Sequence, residues 1–160
     1  MSARQEISLT VNGEAVREAV EPRKTLVDFL REDLGLTGSH VGCEHGVCGA
    51  CTVRIDGTVV RGCLVLAVQC EGANVETIEG VSDSGAIADL QDAFEKRNAL
   101  QCGYCTPGML LAAEELLAAG GRPDREKIRE HISGNYCRCT GYEAIVDAID
   151  TVAEARGGRK

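Results

Sequence analysis

Large aromatic side chains are nearly absent: 160 residues hold no Trp, two Phe and three Tyr. Any core must therefore be aliphatic, and two halves of about 80 residues would each be marginal without a staple. Long apolar runs are missing as well, since no stretch approaches the roughly 18 to 20 residues that cross a bilayer as a helix. No apolar signal core follows Met1-Ser2-Ala3-Arg4-Gln5-Glu6 and no twin-arginine pair stands near it, so the expectation is a cytoplasmic protein without a membrane span. Basic clusters are lacking too. With a net charge of −8 and no Lys/Arg stripe to neutralise phosphates, nucleic acid is excluded as a partner. The acidity is dispersed, which serves solubility.

What the chain has in excess is cysteine, nine residues in all. Disulfides belong to oxidising compartments, so in a cytoplasmic chain metal-bound thiols are the expected use. The first four are spaced Cys43-x4-Cys48-x2-Cys51-x11-Cys63. The first spacings are those of plant-type ferredoxins, whose four thiolates hold a [2Fe–2S] cluster. Two irons need two thiolates each; a short loop supplies three and a nearby strand the fourth. Gly42, Gly46 and Gly49 let the backbone pass close and aim amides at the sulfurs. A zinc site is the rival reading, but zinc loops place their thiols as two short-range pairs.

The second four are Cys102-x2-Cys105-x31-Cys137-x1-Cys139. Taken alone they fit one zinc as well as one cluster. Cys102 and Cys105 precede one predicted helix, with Thr106 as its cap and Pro107 at its first position. Cys137 and Cys139 precede another, so a site beside two helix N-termini would favour an anionic centre. Cys70 matches no ligand spacing and reads as a small buried apolar residue. His45 between two ligands is read as a bystander, and His40 and His131 as surface or packing residues. Tyr104, Tyr136 and Tyr142 are expected to shield the second loops from water.

Periodicity divides the chain. Residues 6–11 alternate as a strand, Asn12-Gly13 turns, and Ala15–Val20 returns. Thr25 and Asp28 predict a capped helix ending at Gly35. Thr52–Ile55, Asp56-Gly57 and Thr58–Arg61 predict a second hairpin, and Val75–Ile78 a last strand. Gly80–Gly85 (Gly-Val-Ser-Asp-Ser-Gly) reads as a break. Beyond it four helices are predicted, carrying Ile87, Leu90 and Phe94; Met109–Leu117; Ile128 and Ile132 behind an Asp124 cap; and Ile145–Val152 behind a Thr140/Glu143 capping box. The tail Gly157–Lys160 should fray. The fold class is therefore α+β, with domains at 1–80 and 86–160.

Taken together, Gln101-Cys-Gly-Tyr-Cys-Thr-Pro-Gly-Met109, Asn135-Tyr-Cys-Arg-Cys-Thr-Gly-Tyr142 and the first cysteine set resemble the iron–sulfur small subunit of the xanthine oxidase family of molybdenum hydroxylases. The resemblance runs from about Ile7 to Ala155 and all eight ligand positions are filled. It implies a plant-type ferredoxin-like (β-grasp) domain followed by a four-helix-bundle domain, each with one [2Fe–2S] cluster. Cys43, Cys48, Cys51 and Cys63 would hold the distal cluster, facing a medium FAD-binding subunit. Cys102, Cys105, Cys137 and Cys139 would hold the proximal one, beside a molybdopterin in a large subunit. Gln101 would hydrogen-bond the pterin, and Cys139 would approach it while ligating iron. The implied function is electron transfer within a molybdenum-dependent dehydrogenase complex, a dimer of heterotrimers. The cytosine dinucleotide form of the pterin is the expectation, although no residue of this chain specifies it. The rivals are a free-standing two-cluster carrier and a zinc-binding interaction module.

Overall fold

The computed structural model describes residues 4–157, so the predicted fraying at Gly158–Lys160 lies outside the described residues. Strands come first. β1 (Gln5–Val11) and β2 (Glu14–Val20) form an antiparallel hairpin closed by Asn12 and Gly13, both at positive φ. That pair of left-handed residues matches the twist of the flanking strands. β3 (Thr52–Ile55) and β4 (Thr58–Arg61) repeat the device with Asp56 and Gly57. β5 (Asn74–Glu76) joins the two hairpins, running parallel to β1 and antiparallel to β3, for a sheet order β2-β1-β5-β3-β4.

α1 (Leu26–Asp28) is capped by Thr25, whose hydroxyl oxygen accepts from the Asp28 amide. The reciprocal bond goes from the Thr25 hydroxyl to the Asp28 carboxylate. The helix widens over Phe29–Asp33 into a π turn, with the Leu34 amide reaching the Phe29 carbonyl, and Gly35 turns out of it at positive φ. Leu26, Phe29 and Leu30 are delivered against Ile7, Leu9, Val53 and Val75, which form the sheet-side core. Cys70 lies in this core, 1% exposed, and burial pushes its thiol pKa up. It is the apolar residue its spacing predicts.

Two expectations fail at the junction. Ile78 does not extend β5; it opens α2 (Ile78–Asp83), so the Gly80–Gly85 break is largely helix. Gly80 is there for proximity: any Cβ would run into the Asn12 side chain. Asn12 in turn holds Thr77, donating to its hydroxyl and accepting from its amide at 2.9 and 2.8 Å. Glycine served close approach rather than a loop, a distinction composition does not carry.

The remaining helices are α3 (Ala88–Lys96), α4 (Thr106–Ala118), α5 (Arg125–Ile132) and α6 (Glu143–Gly157). They enclose a second core of Ile87, Leu90, Phe94, Met109, Leu111, Ile128, Ile145 and Ile149, all fully buried. Asp124 caps α5 as expected, accepting from the Lys127 amide. The other two predicted caps do not form. Thr106 lies inside α4 with its hydroxyl buried and unbonded. Thr140 instead bonds the Cys137 sulfur and the Tyr142 amide, while Glu143 is taken by Arg125 and Arg129. A stronger charge-assisted partner outcompetes a capping bond.

Candidate iron–sulfur sites

Cys43, Cys48 and Cys51 sit on the loop between α1 and β3, and Cys63 on the short helical turn that follows β4. Cys43 and Cys48 are in thiol contact, and the Cys48 amide donates to the Cys43 sulfur at 3.4 Å. Cys51 and Cys63 form a second pair, deeper in the fold. The backbone winds tightly here. Glu44, Gly46 and Gly49 all have positive φ, and a Cβ on Gly42 would stand 3.0 Å from the Cys48 sulfur. The amides of His45 and Cys48 aimed at Cys43 hold its thiol pKa down to about 6. Cys51 behaves oppositely: burial raises it to about 11. A thiol raised in this way stays neutral at neutral pH, and it becomes a thiolate ligand only with a positive metal centre to compensate the charge.

The second set gathers from two loops. Cys102 and Cys105 stand before α4, and Cys137 and Cys139 before α6. The Cys102 and Cys139 sulfurs are 3.5 Å apart and exposed, whereas Cys105 and Cys137 contact each other further in. Burial pushes Cys105 up to about 12. Burial also acts on Cys137, but the Thr140 hydroxyl and amide outweigh it and bring its pKa below the ordinary value. Thr140 therefore serves the thiol, a role its capping pattern hid. Both sets show a two-by-two arrangement, which is what a two-iron centre asks of its ligands. The cradle at Gly42, the amides on Cys43 and the paired thiols fit an iron–sulfur cluster in each place.

Around these thiols the side chains sit differently from expectation. Gln101 is exposed and donates from Nε2 to the Cys139 carbonyl at 3.1 Å. Tyr104 and Tyr136 are themselves 47% and 55% exposed. The Tyr104 hydroxyl donates to the Val41 carbonyl at 2.7 Å, and its ring stacks on His40 with centroids 4.5 Å apart. Only Tyr142 packs inward, its hydroxyl accepting from the Cys137 amide. His40 and His131 both have specific partners, the Tyr104 carbonyl and Glu115. No spacing rule points to them, because their partners lie on other elements.

The two cysteine regions touch. The Tyr136 amide donates to the Cys48 carbonyl at 2.8 Å, joining the residue before Cys137 to a member of the first set.

Geometry of this kind fits an iron–sulfur protein, and comparison with known proteins shows the family. Residues 9–79 match the 2Fe-2S iron-sulfur cluster binding domain family and residues 77–150 the [2Fe-2S] binding domain family. The chain is 53% identical to the caffeine dehydrogenase subunit gamma of Pseudomonas sp. (strain CBB1), over 92% of this chain and 90% of that one. Identity is also 53% with the nicotine 6-hydroxylase small subunit of Paenarthrobacter nicotinovorans, covering 92% and 89%. The structure of quinoline 2-oxidoreductase from Pseudomonas putida 86 superposes with a TM-score of 0.91 at 52% identity, over 99% of this chain and 98% of that one. The chain belongs to the iron–sulfur small subunits of the xanthine oxidase family of molybdenum hydroxylases. It is an electron-transfer subunit of such an oxidoreductase complex, carrying [2Fe–2S] centres.

Proposed function

We propose that this chain joins a large molybdopterin-binding subunit to a medium FAD-binding subunit, with Cys43, Cys48, Cys51 and Cys63 holding the distal cluster and Cys102, Cys105, Cys137 and Cys139 the proximal one. The observation that carries this reading is the two-by-two thiol pairing in both sets, linked by the Tyr136–Cys48 hydrogen bond. Bound [2Fe–2S] clusters supply one-electron chemistry, which lets a two-electron substrate oxidation feed a flavin one electron at a time. The residues here bind those centres, direct amides at their sulfurs and keep the inner thiol pair of each set away from water.

The exposed Cys102–Cys139 edge is the face assigned to the large subunit. Gln101 lies on it with one amide proton used internally, leaving its carbonyl oxygen and second N–H for the pterin. In this reading residues 1–80 form the β-grasp ferredoxin-like domain and 86–160 the four-helix-bundle domain. The assembly is a cytoplasmic dimer of heterotrimers using the cytosine dinucleotide form of the pterin. The relatives named for caffeine and nicotine support an N-heterocyclic substrate for the large subunit.

Copurification from the native source, with partner masses and cofactors identified, tests this. Molybdenum and FAD should accompany the chain along with about four irons per copy. Iron without a molybdenum-containing partner would leave a free-standing carrier, and zinc in its place would overturn the cluster assignment.

A further inference from the structure

The two cysteine loops are held together by a buried polar network that touches no thiol. Asn135 is 2% exposed and Thr52 fully buried. Asn135 Nδ2 donates to the Gly49 carbonyl at 3.2 Å and to the Thr52 hydroxyl at 3.3 Å, while its Oδ1 accepts from Arg61 Nη2 at 3.3 Å. Arg61 Nη1 donates to the Thr52 hydroxyl at 2.6 Å and Nη2 to the Gly134 carbonyl at 2.8 Å. The Thr52 hydroxyl spends its own proton on the Gly49 carbonyl at 2.6 Å. Every capacity of the Thr52 hydroxyl is used, one donated bond and two accepted, and so are both amide protons of Asn135. The Arg61 donor also forces the Asn135 oxygen to face it. A fully satisfied buried network is rigid, and losing one member leaves the others unpaired.

Its members flank the ligands. Gly49 follows Cys48, Thr52 follows Cys51, Arg61 precedes Cys63 by two residues, and Asn135 precedes Cys137 by two. The backbones are in contact as well: a Cβ on Gly49 would stand 2.6 Å from the Gly134 carbonyl.

We propose that Arg61 and Asn135 are positioning residues that set the separation and relative orientation of the two cysteine sets, and thereby the rate of electron exchange between the centres they hold. The inference rests on the cluster assignment above. Only one electron moves, from the reduced centre to the oxidised one, and no bond is made or broken. Arg61 serves as a fork because its two terminal nitrogens reach Thr52 on β3 and the Gly134–Asn135 turn separately; a lysine offers one nitrogen and loses that fixed two-point geometry.

The test uses the whole complex carrying Asn135→Ala or Arg61→Lys. Iron content and the two individual paramagnetic signals report on the cluster assignment. The magnetic splitting between the two reduced centres, and the rate at which an electron injected by pulse radiolysis equilibrates between them, report on the positioning. Both variants should keep their iron and both signals, lose much of the splitting, and equilibrate severalfold more slowly, with Arg61→Lys the milder. Splitting and rate as in the wild type would overturn the proposal. Loss of one signal together with its iron would also overturn it, by making the network the support of a single site. Should Asn135→Ala not fold, Arg61→Lys decides. A wild-type complex lacking two signals would break the cluster assignment itself, a separate failure.

Discussion

The amide of Tyr136 donates to the carbonyl of Cys48, joining a residue next to Cys137 with a member of the first cysteine set. The two sets are 39 or more residues apart in the chain, from Cys63 to Cys102, yet this bond and the Arg61–Asn135 network make them neighbours. Several consequences of that arrangement are measurable.

Replacing Cys102 by Ser should abolish one of two [2Fe–2S] paramagnetic signals and leave the other, because the sets share no thiol. Cys63→Ser should remove the complementary signal. Electron paramagnetic resonance of the dithionite-reduced complexes makes the comparison. Loss of both signals in either variant would contradict two independent sites.

Gln101→Ala removes the donor to the Cys139 carbonyl and the assigned pterin contact without touching a thiol. Both signals should persist while reduction by substrate slows. Rapid-mixing absorbance of the cluster bands reads this rate directly. An unchanged rate would exclude Gln101 from the pterin contact.

At Gly108 a Cβ would collide with the Gly49 carbonyl, a backbone atom that cannot swing aside. Gly108→Ala should therefore destabilise the chain by about 1–3 kcal/mol, as overpacking does. It should also weaken retention of the first cluster, since Gly49 follows Cys48. Thermal unfolding and iron analysis would reveal it; wild-type stability would mean that α4 can shift freely.

Arg156 ties the end of α6 to Asp89 on α3 and Glu114 on α4 at 2.8 and 2.9 Å. Its hydrogen bonds hold the Asp89 carboxyl below its ordinary value of 3.8. A lowered acid pKa stabilises the fold above the unfolded value and loses that contribution only as pH falls through the folded one. The effect is thus complete and flat between about pH 6 and 8. Because Asp89 is 40% exposed, solvent screening keeps the cost of Arg156→Ala to about 1–2 kcal/mol. Denaturant titrations at both pH values should give the same difference; one that changes across this range would implicate another titrating group.

Local signals carried far in this chain. Asn12-Gly13 and Asp56-Gly57 each demand two left-handed residues, so both hairpins were readable from four letters. The helices behind Ile87, Met109, Ile128 and Ile145 followed from apolar period and helix-start letters, and the cysteine spacings announced iron–sulfur chemistry and, through resemblance, the family. Short-range competition was harder to read. Thr106 and Thr140 have the letters of caps, but one opens its helix with its hydroxyl unbonded and the other serves a sulfur.

By itself the sequence determined both hairpins, the four helices after residue 86, the two cysteine sets and the class of protein, because each depends on residues within a turn or a loop of one another, while α2 escaped it. Tertiary structure alone decided which thiols pair, why Gly49, Gly80 and Gly108 must lack a side chain, and how Arg61 and Asn135 lock one half to the other. The glycine and Arg61–Asn135 contacts join residues about 60 to 90 positions apart, and such contacts leave no period or spacing in the chain to be read.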